Sequence, residues 1–173
     1  MTATTTAPTR VLALGELSDA DLAAWEQLTT RSGSGYFTGP VWATSWYECF
    51  GEDAPNRVAW WGSEAAPEAV AALVRIAEPV LPAGTFARLR LPAWHQLGAG
   101  PASADHLGFP STAERRDDVL AWVLSRPGSV RLSNLDRVWA VPLARAGLRS
   151  PQRTRTYAVS IADEVRPGSK KLW

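Results

Sequence analysis

The sequence is poor in the residues that build disulfides and metal sites. Its single cysteine, Cys49, excludes an intrachain disulfide, and one cysteine with two histidines is too few ligands for a structural zinc site of the usual kind. Cys49 lies among aromatic residues, with no lysine or arginine within a helical turn to stabilise a thiolate. We therefore expect a core thiol rather than a nucleophile, and no metal.

Long apolar runs and a secretory leader are also missing. No apolar stretch approaches the ~18 residues that a membrane-crossing helix needs. The first ten residues, MTATTTAPTR, lack the charged start and apolar centre of a signal peptide. With 173 residues, 46% of them hydrophobic, the chain can bury the core of one domain. These features predict a cytoplasmic protein with no membrane span and a flexible tail over residues 1–10.

Charge is unevenly distributed along the chain. Residues 1–87 carry four Lys/Arg and ten Asp/Glu, a net −6, whereas residues 88–173 carry fourteen and seven, a net +7. The basic half can face an anion, the acidic half of its own chain or a partner, and a mixed solvated surface is the plainer alternative. Because no compact basic stripe accompanies the nine tryptophans, we expect no nucleic-acid partner.

Capping signals mark the start of a first helix. Ser18 and Asp21 form a capping box, and the apolar stripe that follows predicts a helix over residues 18–31. The next four residues, SGSG, follow a helix rather than a strand, and no lysine stands at the spacing of a phosphate-binding loop. We interpret SGSG as a helix stop.

Two further helices are predicted in the second half of the chain. Ser111 and Glu114 form another capping box, which predicts a helix over residues 112–126. Asp136 can cap a later turn, but Pro142 keeps that helix short, because proline costs a helix interior about 3 kcal/mol.

Residues 36–51, YFTGPVWATSWYECFG, hold the densest aromatic pattern. Gly39 and Pro40 predict an N-cap and first helical residue, and Gly51 predicts an end in a left-handed turn. The aromatic and apolar residues between them leave only a narrow polar edge and predict burial on most sides. Such a helix is either a central core element or the aromatic wall of a ligand cleft.

Within that helix the aromatic residues divide into two groups. Tyr47 and Phe50 are expected to pack under the sheet, whereas Trp42 and Trp46 are expected nearest to a cleft.

Strand patterns alternate with these helices, at residues 57–61, 69–76, 85–91, 130–135 and 153–161. The first two form a predicted antiparallel hairpin. Arg153 and Arg155 share one face of the last strand, where they can clamp a phosphate group or face solvent and acidic residues.

The segment Pro92–Pro110 contains three glycines and three prolines with no periodic pattern, which predicts a long irregular loop. It holds His95, Asp105 and His106. Either histidine can act as a general base, with Asp105 orienting it or binding substrate, although neighbours in sequence need not touch in space.

The order of these segments resembles the N-terminal half of FemAB-like and CelD-type N-acyltransferases of the GNAT superfamily. The matching pieces are LSDADLAAWEQLTTRSG, YFTGPVWATSWYECFG, the hairpin strands, RLRLPAWHQLGAGPASADHLGFP, STAERRDDVLAWVL, SVRLSNLD and TYAVSIADEVRPGSKKLW. The residues similar to the family's aromatic helix are Phe37, Pro40, Trp42, Trp46 and Phe50. Those similar to its glycine-containing stretch are Gly98, Gly100 and Asp105, with His106 where an aromatic residue often stands.

The resemblance implies an α+β fold with a mixed, largely antiparallel sheet flanked by helices. Residues 11–162 are then a GNAT-like N-terminal lobe, the first lobe of an incomplete tandem. Residues 163–173 are then a linker and the start of a truncated helix, since family members continue into a second lobe that provides most of the acyl-donor site.

The resemblance also implies a chemistry: transfer of an acyl group from a thioester donor, acyl-CoA such as acetyl-CoA, to an amine, without a covalent enzyme nucleophile. The candidate catalytic residues are Asp105 and His106, and the candidate substrate-binding residues are Trp42, Trp46, His95, Arg153 and Arg155. The expected partners are a small-molecule or amine substrate and a second lobe or second copy. The alternative is a non-catalytic substrate-recognition or interaction module, or a truncated, inactive acyltransferase fragment.

Overall fold

One five-stranded sheet runs through the residues that our computed structural model describes, which are 6–51, 53–79, 90–99 and 107–148. Its strands are β1 (Arg10–Leu12), β2 (Asn56–Gly62), β3 (Pro67–Pro79), β4 (Arg90–Gln96) and β5 (Ser129–Arg131). The helices of the same residues are α1 (Asp19–Arg31), α2 (Pro40–Phe50), α3 (Arg116–Leu124) and α4 (Ala140–Arg145). The strand order is β1-β2-β3-β4-β5, and all neighbours are antiparallel except β4 and β5, which are parallel. The protein is therefore α+β with a mostly antiparallel sheet.

The predicted hairpin is confirmed. Strands β2 and β3 pair from Asn56 opposite Val74 to Trp61 opposite Ala69, and the register shifts beside Gly62, where the backbone has a φ of +91°. Alternate residues along these strands are buried on opposite faces, so both faces of the sheet must be covered.

Helices cover both faces of the sheet. One core joins α1 and α2 to one set of strand residues, namely Val58, Trp60, Val70, Ala72 and Val74. The other core joins α3 and the segment before α4 to the alternate set, namely Ala59, Trp61, Ala69, Ala71 and Leu73. The sheet therefore lies between two helical layers.

Helix α1 begins and ends as predicted. The Ser18 hydroxyl accepts the Asp21 backbone N–H at 3.2 Å, and the Asp21 carboxylate accepts the Ser18 N–H at 2.9 Å. After Arg31 the chain turns through Gly33, whose φ of +66° favours glycine. SGSG therefore ends a helix, as the sequence indicated.

Helix α2 has the predicted bounds, but it is not buried on most sides. Pro40, Ala43 and Trp46 are buried in a narrow stripe, whereas Val41 is 55% exposed and Phe50 is 44% exposed. The expectation that Phe50 packs under the sheet is wrong, because the helix lies on the surface of its layer. Cys49 is exposed too, so the prediction of a core thiol is wrong for the same reason.

Strand β4 differs from the prediction of a loop starting at Pro92. The strand runs on to Gln96, and Pro92 pairs with Ala77 of β3. Pairing with β5 begins only at Ala93, so Pro92 has a sheet neighbour on one side and its missing N–H is tolerated. The loop therefore begins after Gln96.

The capping box predicted at Ser111 does not form. The Ser111 hydroxyl donates to the carbonyl of Phe109 at 3.0 Å, and a 3₁₀ turn over Ala113–Arg115 precedes α3. Residue 111 is instead drawn toward the sheet, because it forms an isolated bridge with Ala69 of β3. Sheet pairing thus displaces the local cap.

Three smaller features complete the comparison. The segment predicted as a tail is bonded from Thr6, whose N–H donates to Asp118 at 2.8 Å. Of the strand predicted over residues 130–135, the structure forms only the part in β5, which ends at Arg131. The Asp136 carboxylate accepts the Val138 N–H at 3.3 Å and caps a 3₁₀ turn over Arg137–Trp139. This turn leads into α4, which contains Pro142 and is short, as predicted.

Among the described residues, no helix is long and apolar enough to cross a membrane.

Candidate functional site

The carboxyl ends of β4 and β5 lie at the same end of the sheet. The two strands are parallel, with Ala93 opposite Ser129 and His95 opposite Arg131, and α3 makes the crossover between them. In open α/β sheets, ligands bind outside the carboxyl ends of parallel strands. Here β4 and β5 are the parallel pair, whereas β3 is antiparallel to β4. We call the region at the carboxyl ends of these two strands the β4–β5 edge, and it is the candidate site.

Gln96 holds together the chain that leaves β4 and the chain that returns. Its side chain is 2% exposed, and its amide Nε2 donates to the carbonyl of Gly108 at 2.6 Å. On the returning side, the Leu107 N–H donates to Asn134 and the Asp136 N–H donates to Leu107, both at 2.8 Å. Residues 97–99 and 107–109 are therefore fixed points on either side of the intervening segment.

The intervening segment carries the predicted catalytic pair. Asp105 and His106 lie outside the described residues, as do Arg153 and Arg155, so their predicted roles stay predictions. What the structure gives is the anchoring of Leu107, the residue directly after His106.

A small cavity adjoins Gln96. It has a volume of ≈ 10 Å³ and is lined by the side chains of Trp25, Phe37, Val70 and Phe109 among others. The Gln96 Oε1 atom is buried and, among the described residues, has no hydrogen-bond partner. The space suits about one water molecule, which can donate a hydrogen bond to that oxygen.

Trp42 borders the chain that leaves β4. Its indole N–H donates to the carbonyl of Gly98 at 3.3 Å, and its ring meets Phe37 edge-on at 4.9 Å. Gly98 has a φ of +96°, and a Cβ there would stand 2.6 Å from Trp42 Nε1, so glycine is required for this contact. Tyr36, beside Trp42, is 62% exposed. Trp42 is thus at the candidate edge, and its contact with a substrate stays a prediction.

Trp46 and His95 occupy different surroundings from Trp42. Trp46 is 2% exposed and packs in the core between α2 and the sheet, so it is a core residue rather than part of an aromatic cleft wall. His95 lies in β4 rather than in a loop, 9% exposed and opposite Val74. Paired residues point to the same face, so His95 points toward α1 and α2.

A second, polar pocket lies beside the same returning segment. We call it the Arg116 pocket, and its polar lining is formed by Ser32, Ser34, Ser111, Arg116 and Asp136, with Trp139 at its apolar wall. Its volume is ≈ 40 Å³, within ≈ 360 Å³ of empty space that includes the open mouth. The sequence does not reveal this pocket, because a helix stop is a sufficient explanation of SGSG. The pocket lining also comes from three distant parts of the chain, residues 32–38, 107–116 and 136–139.

Charge pairing partly explains the uneven distribution of charge. Arg115 donates to Glu68 at 2.6 Å, which links the basic half to the acidic half, and to Asp118 of its own half at 2.9 Å. Hydrogen bonds to these two carboxylates raise the pKa of Arg115 above its ordinary value. Among the described residues, no group of three or more His, Cys, Asp or Glu side chains could hold a metal ion.

The chain matches no family model, no curated protein and no solved structure. Function is therefore inferred from the order of its segments and from the geometry of the β4–β5 edge.

Proposed function

We propose that this protein is a GNAT-type N-acyltransferase or its N-terminal lobe, which transfers an acyl group from a thioester donor such as acetyl-CoA to an amine. The observation that carries the proposal is the parallel β4–β5 pair in a sheet that is otherwise antiparallel. It supports the proposal because the resemblance implies a mixed, largely antiparallel sheet flanked by helices.

Acyl transfer requires the amine nitrogen to attack the thioester carbonyl while the carbon–sulfur bond breaks. The amine must lose a proton, and the departing thiolate can take one up. His106 or Asp105 is the proposed proton acceptor, because the resemblance implies a site in this segment and either side chain can take up a proton. The described residues on either side of this pair in sequence, Gln96 and Gly108, are joined by a hydrogen bond at the β4–β5 edge.

Thermal melting with and without acetyl-CoA tests donor binding. A donor present at 100 times its Kd stabilises the folded state by about 2.7 kcal/mol. For a domain of this size, that corresponds to a rise in Tm of roughly 5–10 °C. Acetate at the same concentration serves as the control. No shift at millimolar acetyl-CoA would remove the claim that this chain binds the donor by itself.

A second candidate function is a non-catalytic recognition or interaction module. It is favoured by the exposed apolar side chains at the start of α2, where Tyr36 is 62% exposed and Val41 is 55% exposed beside Trp42. Large apolar side chains exposed together are typical of interaction surfaces.

Size-exclusion chromatography with light scattering separates the two candidates. An interaction module with this surface should form a dimer at high concentration, and a Tyr36→Ser, Val41→Ser double variant should return it to monomer. A wild-type monomer at every concentration, with a cooperative melt, would argue against the module.

A further inference from the structure

The Arg116 pocket brings together one cation, one anion and several hydroxyl groups. We propose that it binds a free α-amino acid, with the carboxylate on the Arg116 guanidinium and the ammonium on the Asp136 carboxylate. Binding at this pocket needs no acyl donor, so the inference stands apart from the proposed acyl transfer.

Arg116 supplies the first part of the argument. Its Nε atom is buried, and within the described part of the chain this atom has no hydrogen-bond partner. The Nε atom of Arg115 donates to Glu68, and that of Arg126 donates to the carbonyl of Trp122. Arg10 Nε also has no partner among the described residues, but the guanidinium of Arg10 bonds to Asp21. A buried guanidinium nitrogen without an acceptor is unfavourable, and a carboxylate satisfies two guanidinium N–H groups at once.

Asp136 supplies the second part. Its Oδ1 accepts the Val138 N–H, and its own N–H donates to Leu107, so the carboxylate is held in a fixed place on the pocket wall. The hydrogen bonds found among the described residues use Oδ1 and leave Oδ2 for a ligand. An ammonium group suits this oxygen, because it donates up to three hydrogen bonds and carries the opposite charge.

The two charges together restrict the ligand. A phosphate dianion would pair with Arg116 but would be repelled by Asp136, and a simple amine would meet the reverse conflict with Arg116. A zwitterion carries one group for each. At about 10–15 Å³ for each water-sized group, the ≈ 40 Å³ interior holds roughly three non-hydrogen atoms, so the rest of the amino acid must lie in the open mouth.

A titration of ¹⁵N-labelled protein, observed at the indole N–H resonance of Trp139, tests the inference. Glycine, L-alanine and L-serine are the probes, and acetate, methylammonium and inorganic phosphate are the comparisons. We expect a saturable shift with at least one amino acid, and binding at least about tenfold weaker for acetate and methylammonium, since each lacks one charge-assisted hydrogen-bonded group.

Two variants locate the binding. Arg116→Gln removes the cation, and Asp136→Asn removes the anion while keeping an oxygen that can cap Val138. Each should weaken binding roughly tenfold or more, whereas Arg137→Gln, at an exposed position outside the pocket lining, should leave it unchanged.

Three outcomes would overturn the inference. They are no saturable shift with any of the amino acids, equal affinity in the wild type and both pocket variants, and tighter binding of inorganic phosphate than of the amino acids. Because no acyl donor is present, these outcomes leave the test of acyl transfer unaffected.

Discussion

At position 51, glycine is needed because any larger residue would clash with a neighbouring aromatic ring, and not because the backbone conformation requires it. Gly51 has a φ of −73°, which any residue can adopt, so the predicted left-handed turn is wrong. A Cβ here would stand 2.5 Å from the ring of Tyr47. Tyr47 in turn donates from its hydroxyl to the carbonyl of Ala54 at 2.7 Å, which ties the end of α2 to the following turn. The sequence located the helix end but not this contact, because the contact depends on where one side chain packs.

Replacement of Gly51 by alanine should destabilise the protein. The added methyl group must displace the Tyr47 ring or the backbone, and overpacking of this kind costs about 1–3 kcal/mol. Gly15→Ala is the matched control, since a Cβ at that position would meet nothing within 4 Å and should change stability by less than about 0.5 kcal/mol. Urea denaturation measures both, and equal effects would show that the Tyr47 contact is not the reason for Gly51.

At the scale of elements, the N-terminus of α1 is stabilised by a buried charge. Burial raises the pKa of Asp21, but hydrogen bonds from Arg10 and from the backbone and hydroxyl of Ser18 outweigh it and hold the pKa below its ordinary value. A carboxyl group whose pKa is lower in the folded protein stabilises the fold above its unfolded pKa. That stabilisation is lost as pH falls through the lower folded pKa.

This linkage predicts how Asp21→Asn behaves with pH. At pH 7 the variant should be less stable than the wild type by about 1–3 kcal/mol, because it loses the ion pair with Arg10 and weakens the cap. Below the ordinary value of 3.8, the difference should shrink as the wild-type carboxyl group gains its proton. Asp19→Asn, at an exposed position in the same turn, should show little change. A constant difference across this pH range, measured by urea denaturation, would contradict the assignment.

Elements specified by local signals were predictable, and elements specified by distant contacts were not. Ser18 and Asp21 lie three residues apart, and their capping box can be recognised without knowing the fold. The continuation of β4 through Pro92 depends on where β5 begins to pair, and the fate of Ser111 depends on its bridge to β3. Pro92 therefore indicated the start of a loop and Ser111 a helix cap, and in both places pairing with a distant strand gave a different structure.

In the described part of the molecule, the candidate site and the Arg116 pocket lie along one edge of the sheet. Trp42 and Gly98, the Gln96–Gly108 bond and the Arg116 pocket all border the chain that leaves β4 or returns to α3. The sequence pointed to the segment between β4 and α3 through its glycines and histidines. It could not show the pocket, because Ser32, Ser111 and Asp136 come together only when α1, the returning segment and the turn before α4 have packed.

The central claim is the proposed acyl transfer at this edge, and backbone hydrogen exchange with and without acetyl-CoA tests it most directly. We predict slower exchange at Leu97–Ala99, after β4, and at Leu132, after β5, because a bound donor suppresses local opening there. Exchange in β1, at the far side of the sheet, should change least. Exchange at the β4–β5 edge that stays the same at saturating donor would contradict the claim.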